Sequence, residues 1–519
     1  MSFRVRLRRA TGGRGGSLAV LRSTARLLGL AIGSALMGAL LIALVMYVRY
    51  LRSGPELEPW HDAQLDTEFT AADADEVRTI ADYRALETRL FAELDREVYQ
   101  RTEPEDRLPF NRYFRGSASD PATWPVDWSR TWEHAPSAPA AAVLLLHGLT
   151  DSPYSLHALA ENFARQGLHV VALRMPGHGT APSGLLSFEV EDMQAVVRLA
   201  MRDLRARLGG ATPIYLVGYS NGAALAIDYT LAALEGRDEP RPAGLVLISP
   251  AIAVSPLAAV GRVRTGLSKL PGFGRAAWQL VEGEVDPFKY ASFSLHAAGE
   301  TFRLTRALER RIRRMAEDGP IDAFPPVLAF VSTVDATVRA SAVVDVLLEH
   351  LTPGGHELVL FDVNRFADVR SLLVSGPGPL TQRLLEMSHR PFALTVIANA
   401  GPDTLEVHEL SAGAGVARLT ARPLSLEWPR TVFSLSHVAL PFPPDDPLYG
   451  YAAVQDRSHV QLGRLEVRGE NGVLAIPPWM LTRLRSNPFY SYLSERTDTF
   501  VPDGAPGTPA PASTVAPGD

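Results

Sequence analysis

Short, unbroken runs of apolar residues recur through the middle of the chain, and amphipathic stretches separate them. A strand that is covered on both faces has no polar side, so its sequence is continuously apolar rather than alternating. Strands that alternate with helical patterns are typical of a parallel sheet with helices on both faces. The pattern therefore predicts an α/β domain over 140–496, with buried strands at 143–146, 169–173, 214–217, 245–248, 327–331 and 358–361.

Two longer stretches interrupt this alternation of strand and helix. Residues 255–319 contain amphipathic helical patterns, and we expect them to form a helical cap over the site at the strand ends. Residues 364–430 form an insertion with strand-like runs at 393–398 and 405–410. These runs predict either an extension or a decoration of the sheet.

The N-terminal region contains the longest apolar segment. Residues 27–48 carry no charge over about 22 positions, enough for a helix to cross a hydrocarbon core of roughly 30 Å. A cleaved signal peptide has a shorter apolar region and a small-residue site after it, so we favour an uncleaved transmembrane signal anchor over a signal peptide or an apolar hairpin within a soluble fold. Residues 1–26 are basic and predict a cytoplasmic N-terminus, with the catalytic domain on the periplasmic or extracytoplasmic side. Their arginines are Arg4, Arg6, Arg8, Arg9, Arg14, Arg22 and Arg26.

The anchor and the α/β domain are joined by an acidic juxtamembrane region, residues 49–139. Apolar residues at helical spacing over 73–99 predict a helix that packs on the main domain, with a partner-binding helix as the alternative. Residues 115–139, rich in Pro, Ser and Trp, predict a lead-in loop. At the other end, Pro, Ala, Gly, Thr and Ser dominate 497–519 and predict a disordered tail.

Composition excludes several classes of function. The chain has 519 residues, 21% of them charged, and a net charge of −6, which gives no sign of a nucleic-acid surface. Because it has no cysteine, disulfides, thiol catalysis and cysteine-ligated metals are excluded. No dinucleotide fingerprint or metal-ligand cluster is evident, so we expect no cofactor and no metal. The oligomeric state stays open.

The segment Gly218-Tyr219-Ser220-Asn221-Gly222 is the chemically most informative part of the sequence. It follows a buried strand and leads into a helix of small residues, which is the layout of a nucleophile elbow. A serine hydroxyl becomes reactive when a sharp turn exposes it to a base and to oxyanion-binding amides. Ser220 is therefore the predicted nucleophile.

The acid and the base are predicted from their places after Ser220. In α/β-hydrolases the chain order is serine, then acid, then histidine. Asp335 follows the strand at 327–331 by a short turn and is the favoured acid, with Asp362 after the next strand as its rival. His437 is the favoured base, and the downstream alternatives are His389 and His459.

Stabilisation of an oxyanion needs two backbone N–H donors. The first predicted donor is Asn221, the residue after the nucleophile, at the start of a helix whose dipole favours negative charge. The second is Leu149, in the His147-Gly148-Leu149 loop after the first buried strand. We expect His147 itself to be structural.

These motifs resemble the monoglyceride lipase and bacterial carboxylesterase branch of the α/β-hydrolase superfamily, which also includes lysophospholipase-like members. The resemblance covers roughly 140–449 and rests on Leu144 to Gly148, Met175 to Gly179, Gly218 to Gly222, Pro326 to Asp335, and Ser436-His437. It implies an α/β-hydrolase fold, an acid at Asp335, a base at His437, and oxyanion amides at Leu149 and Asn221. It gives His178 no chemistry. Asn221 stands where this branch commonly has Met or another larger residue, and the insertion at 364–430 is unusual for the branch.

The sequence thus predicts a membrane-anchored serine hydrolase that cleaves carboxylic esters through an acyl-enzyme. Its partners would be a small-molecule ester or lipid substrate and the membrane, without nucleic acid. An acyltransferase, a thioesterase or a peptidase would use the same triad, so the sequence does not separate them. A non-catalytic envelope binding protein on the same fold is the alternative from a different class.

Overall fold

The computed structural model describes residues 14–52, 55–236, 239–253, 273–335, 337–366, 379–387, 389–416, 418–432, 434–452, 458–463 and 484–501. The chain divides into two compact units. One comprises Met1–Glu56 with Leu267–Ala276, and the other comprises Leu57–Gly266 with Ala277–Asp519.

The smaller unit contains one long helix, α1 (Arg14–Arg52). Its described apolar side chains between Leu27 and Met46 are exposed. Among the residues whose side chains are described, no helix has the length and apolarity needed to cross a membrane. The transmembrane helix predicted over 27–48 is therefore not supported by the structure, although side chains 44, 47 and 48 of that range lie outside the described residues.

Ten strands form one sheet in the described part of the larger unit, in the order β1-β3-β2-β4-β5-β8-β9-β10-β11-β12. Neighbouring strands from β3 to β10 are parallel, and β1, β11 and β12 each run antiparallel to their neighbour. Strands β6 and β7 pair as a separate ribbon. The bounds are β1 Trp132–His134, β2 Ala142–Leu146, β3 His169–Leu173, β4 Ile214–Tyr219, β5 Gly244–Ile248, β6 Trp278–Leu280, β7 Phe293–Ser294, β8 Val327–Ser332, β9 Glu357–Phe361, β10 Ala393–Asn399, β11 Glu406–Ala412 and β12 Thr420–Glu427.

Helices cover both faces of this sheet. Each face carries its own cluster of buried apolar side chains, and each cluster includes side chains from helices as well as from strands. The helices are α2 Pro59–Asp62, α3 Ile80–Glu97, α4 His157–Arg165, α5 Val190–Leu208, α6 Asn221–Leu234, α7 Leu295–Met315, α8 Pro379–Glu386 and α9 Tyr490–Phe500. Short helical turns occur at Ala71–Asp75, Tyr99–Arg101, Pro104–Asp106, Pro121–Thr123, Pro153–Leu156, Pro182–Leu186, Gly274–Ala277, Val343–Leu347, Leu348–His350 and His437–Ala439.

All six strands predicted from apolar runs are present, as β2, β3, β4, β5, β8 and β9, and their bounds agree within two residues. The insertion at 364–430 extends the sheet through β10, β11 and β12, which decides between the two predicted possibilities. In the predicted cap, residues 255–272 lie outside the described residues, and the rest contains the β6–β7 ribbon and α7.

Helix α9 corrects one predicted boundary. It continues to Phe500, whereas the disordered tail was expected to begin at 497. Thr497 is buried and Leu493 belongs to the apolar core, so packing of one helix face overrides the polar composition. Residues 502–519 lie outside the described residues.

The region before the α/β domain is built into it. Helix α3 buries Ile80, Tyr83 and Leu86 in the same apolar cluster as the sheet, as predicted for a packing helix. Arg174, fully buried after β3, pairs with Glu68 at 2.9 Å and with Glu87 at 2.9 Å. A buried charge is stable only when it is paired, so these two carboxylates bind the lead-in region to the sheet.

Candidate active site

The turn between β4 and α6 has the geometry of a nucleophile elbow. Ser220 has φ 53° and ψ −114°, a strained conformation for a residue with a Cβ, and its N–H donates to Ile248 O at 2.9 Å. A Cβ at Gly218 would lie 2.4 Å from Ala223 Cα, and one at Gly222 would lie 1.9 Å from Leu146 O. Glycine is therefore required on both sides of the serine.

The predicted acid and base are joined directly. His437 Nδ1 lies 2.8 Å from Asp335 Oδ2, and both side chains are buried. Asp335 Oδ1 accepts the N–H groups of Thr337 at 2.8 Å and Val338 at 3.0 Å, which fixes the carboxylate in place. With Nδ1–H donating to this carboxylate, Nε2 is left as the proton acceptor.

The structure places the imidazole next to the elbow without joining it to the serine. The His437 ring centroid lies 5.3 Å from that of Tyr219, the residue before Ser220. Within the described part of the chain, neither Ser220 Oγ nor His437 Nε2 makes a hydrogen bond. In ligand-free enzymes the hydrogen bond between nucleophile and base is often long or poorly aligned and tightens only when substrate binds.

The rival residues lie elsewhere. Asp362 forms an ion pair with Arg365 at 3.3 Å rather than with a histidine. His389 is exposed, and the ring of His459 packs against Trp124 with its Nε2 3.1 Å from Thr123 O. The geometry thus favours Asp335 and His437 over the alternatives.

Both predicted oxyanion amides are available. Across the described residues, neither the Leu149 N–H nor the Asn221 N–H donates to a protein acceptor. Asn221 is the first residue of α6, where unpaired N–H groups and the helix dipole favour an anion. The two amides follow parallel neighbours, β2 and β4, at the same edge of the sheet.

His147 and His178 are structural, as expected. His147 Nδ1 lies 2.8 Å from Gly148 O, and its Nε2 accepts the Met175 N–H at 3.0 Å. Burial lowers the pKa of His147 well below its usual value and that of His178 to about 4. Both rings therefore stay neutral near pH 7.

A cavity of about 740 Å³ opens onto His437. Its wall is partly apolar, with Val285, Leu435 and Phe442, and partly polar. The polar wall includes Asp151, Asp286, Lys289, Tyr449 and Arg485. Sequence reasoning singled out none of these polar residues, although the position of Asp151, two residues after Leu149, was a usable signal.

A parallel sheet with a strained serine turn after a central strand, an adjacent Asp–His pair and two unengaged amides defines an α/β-hydrolase. Comparison with known proteins agrees. Residues 137–347 match the family described as serine aminopeptidase, S33.

Individual relatives cover only parts of the chain. An uncharacterised abhydrolase domain-containing protein of Dictyostelium discoideum is 28% identical over 163 residues, 30% of this chain and 16% of that protein. A thermostable monoacylglycerol lipase of Bacillus sp. (strain H-257) is 26% identical over 218 residues, 42% of this chain and 79% of that protein. A solved structure reported for LipS and LipT, two metagenome-derived lipolytic enzymes, is 23% identical, with a TM-score of 0.36 and coverage of 50% of this chain and 96% of that one.

The family match and the two Bacillus relatives, the monoacylglycerol lipase and the phospholipase YtpA of Bacillus subtilis (27% identical over 129 residues, 24% of this chain and 45% of that protein), agree with the motifs quoted from the sequence. The matched segment, residues 137–347, is therefore similar to α/β-hydrolases of the monoglyceride lipase-like branch.

Proposed function

We propose that this protein cleaves carboxylic esters through an acyl-enzyme formed on Ser220. The observation that carries the proposal is the Asp335–His437 hydrogen bond of 2.8 Å beside the strained serine turn. The resemblance to a monoacylglycerol lipase supports an ester or lipid substrate, and the cavity of about 740 Å³ supports a small molecule.

Each group has one role in the proposed reaction. Ser220 Oγ attacks the ester carbonyl carbon while its proton passes to His437 Nε2, and the oxyanion is held by the N–H groups of Leu149 and Asn221. Collapse of this intermediate breaks the C–O bond, and the leaving alcohol takes the proton from His437. Water repeats the sequence and releases the acid. Asp335 stabilises the imidazolium in both halves.

A fluorophosphonate probe tests the nucleophile. The unaltered chain should be labelled and should cleave p-nitrophenyl esters, and Ser220→Ala should abolish both. Ser411→Ala is the matched control, because Ser411 lies on β11, five strands away from β4 and the serine turn in the sheet order. Labelling that survives Ser220→Ala would refute Ser220 as the nucleophile.

A panel of p-nitrophenyl esters of rising acyl length tests the substrate. The kcat/KM values should reveal an acyl-length preference set by the partly apolar cavity. A chain that is labelled by the probe but transfers the acyl group to an added alcohol or amine faster than to water would instead be an acyltransferase.

We also propose, from the sequence alone, that residues 27–48 attach the protein to a membrane with the catalytic domain outside the cytoplasm. The apolar run and the preceding arginines support this proposal. The full chain should remain in the membrane pellet after alkaline carbonate extraction, and added protease should reach the catalytic domain in spheroplasts. Recovery of the full chain in the carbonate supernatant would exclude the anchor.

A further inference from the structure

The turn that carries one oxyanion amide, residues 148–151, is strained at its centre. Thr150 has φ 65°, which is unfavourable for a β-branched residue. The turn therefore needs contacts from outside to keep the Leu149 N–H directed at the site. His147 supplies one of them, because its Nδ1–H donates to Gly148 O at 2.8 Å.

The loop Asp286–Tyr290, between β6 and β7, supplies two more contacts to this turn. The Tyr290 N–H donates to Thr150 O at 2.8 Å. Lys289 Nζ donates to Asp151 Oδ1 at 2.5 Å, with the Asp151 side chain 7% exposed and the Lys289 side chain 30% exposed. A pair that is largely buried on one side constrains position more than a surface pair does.

Asp151 transmits this constraint directly to the peptide before Leu149. A Cβ placed on Gly148 would lie only 2.5 Å from Asp151 Oδ2, so the carboxylate sits against the Gly148 backbone. If Lys289 no longer paired with it, this carboxylate would move towards water, because burial of an unpaired charge is costly. The turn would have to follow.

The loop that presents Lys289 is itself fixed. Asp286 Oδ1 accepts the N–H groups of Phe288 and Lys289, both at 3.0 Å, and its Oδ2 accepts the Tyr449 hydroxyl. Lys289 therefore projects from a preorganised backbone rather than from a free loop. Such support is what holds an oxyanion donor in place as charge develops.

We propose that Lys289, acting through Asp151, is a positioning residue for the Leu149 oxyanion amide. The inference rests on the proposed ester hydrolysis. It assigns to a residue of the predicted cap a role in transition-state stabilisation that the triad alone does not supply.

Steady-state kinetics of Lys289→Met test the proposal. Loss of one oxyanion donor costs about 10²–10³-fold in kcat, so its misplacement should lower kcat roughly 10–100-fold while KM changes less than about threefold. Lys289→Arg should restore most of kcat. Arg202→Met is the matched control, because it also removes the partner of a buried carboxylate, that of Glu239, from helix α5 outside the cavity lining, and it should leave kcat unchanged.

A trifluoromethyl ketone inhibitor separates positioning from a merely structural role, because its tetrahedral adduct carries an oxyanion. Its Ki should rise by the same factor by which kcat falls in Lys289→Met, with an unchanged melting temperature. Asp151→Asn should have a similar effect, and the double variant should be no worse than the worse single variant.

Three results would overturn the proposal. The first is an unchanged kcat in Lys289→Met. The second is a raised KM at constant kcat, which would mean that Lys289 binds substrate directly. The third is additive effects of Lys289→Met and Asp151→Asn in the double variant. Failure of the proposed function is a different outcome, since the unaltered chain would then neither react with a fluorophosphonate nor cleave esters.

Discussion

The centre of the ten-stranded sheet and its β11–β12 end differ in burial and in the site residues that they carry. Every residue of the parallel strands β2, β5 and β8 is buried. In the antiparallel strand β12 no residue is buried, and six of the eight residues are exposed, with only Leu424 and Leu426 partly covered. Ser220, Asp335, Leu149 and Asn221 follow strands of the parallel part, whereas His437 lies in the segment after β12, and strands β11 and β12 themselves contain no predicted site residue.

This difference indicates where the fold is rigid enough to hold chemistry. Loops at the carboxyl ends of strands buried on both faces are anchored by the core, and they bring distant residues to one edge. The β11–β12 hairpin at the edge of the sheet has one solvated face, so fewer buried side chains hold it in position. We therefore expect substitutions in the two parts to differ sharply in effect.

The largest expected difference is in catalysis. Asp335→Asn should lower kcat roughly 10⁴-fold, because an amide would favour the wrong tautomer of His437. Glu409→Gln is the matched control in strand β11, where Glu409 pairs with Arg422, and it should leave kcat within about twofold. Ester turnover measures both, and a comparable loss in the two variants would remove the functional distinction between the two parts.

The next largest expected difference is in the loss of stability that substitutions in the two parts of the sheet cause. Leu360 in β9 is fully buried, so Leu360→Ala should lower the free energy of unfolding by about 2–5 kcal/mol. Leu424→Ala in β12 should cost less than about 1 kcal/mol, since that side chain is only partly covered. Urea unfolding of both variants measures this, and equal losses would show that the hairpin is as much a part of the core as β9.

The loop between β6 and β7 should make the free energy of unfolding depend on pH, through a glutamate that lies in neither part of the sheet. Burial raises the pKa of Glu284 from 4.5 to about 7. The folded chain therefore holds this proton more tightly than the unfolded chain does, so the free energy of unfolding should fall as pH rises from 4.5 to 7. A shift of this size corresponds to about 3 kcal/mol.

Glu284→Gln should remove that part of the pH dependence, because a glutamine does not titrate. Urea midpoints of the two chains across the same pH range measure the difference. Parallel curves would mean that Glu284 ionises normally in the folded chain.

The smallest effect is expected at the surface of the hairpin. The Arg422 side chain is 63% exposed, so Arg422→Ala should change the free energy of unfolding by less than about 1 kcal/mol. A thermal melt measures it. A large loss would show that the ion pair with Glu409 fixes the register of β11 and β12.

The parts of the molecule that could be predicted are those with local signals. Buried parallel strands have continuous apolar sequences, and the turn at Ser220 has its own motif. Chain order was enough to select Asp335 and His437, although 102 residues separate them. The catalytic roles of these residues remain predictions.

The remaining features depend on packing that no local pattern encodes. Lys289 reaches Asp151 across 138 residues, and each looks like an ordinary surface charge in the sequence. Strand β12 was missed because only Leu424 and Leu426 of its eight residues are partly covered, so its sequence contains no continuous apolar run. The end of α9 was missed because its last turn is polar in sequence apart from Phe500, which packs against the core cluster, and because the buried Thr497 gives no apolar signal.

The buried guanidinium of Arg174 has a practical consequence for anyone trimming this protein. Its two carboxylate partners, Glu68 and Glu87, lie upstream of every strand, outside the segment 137–347 that matches known hydrolases. A recombinant fragment cut to that segment would leave a bare cation inside the protein and would also lack His437. The shortest version worth expressing begins at Leu57, where the larger unit starts, and keeps helix α9.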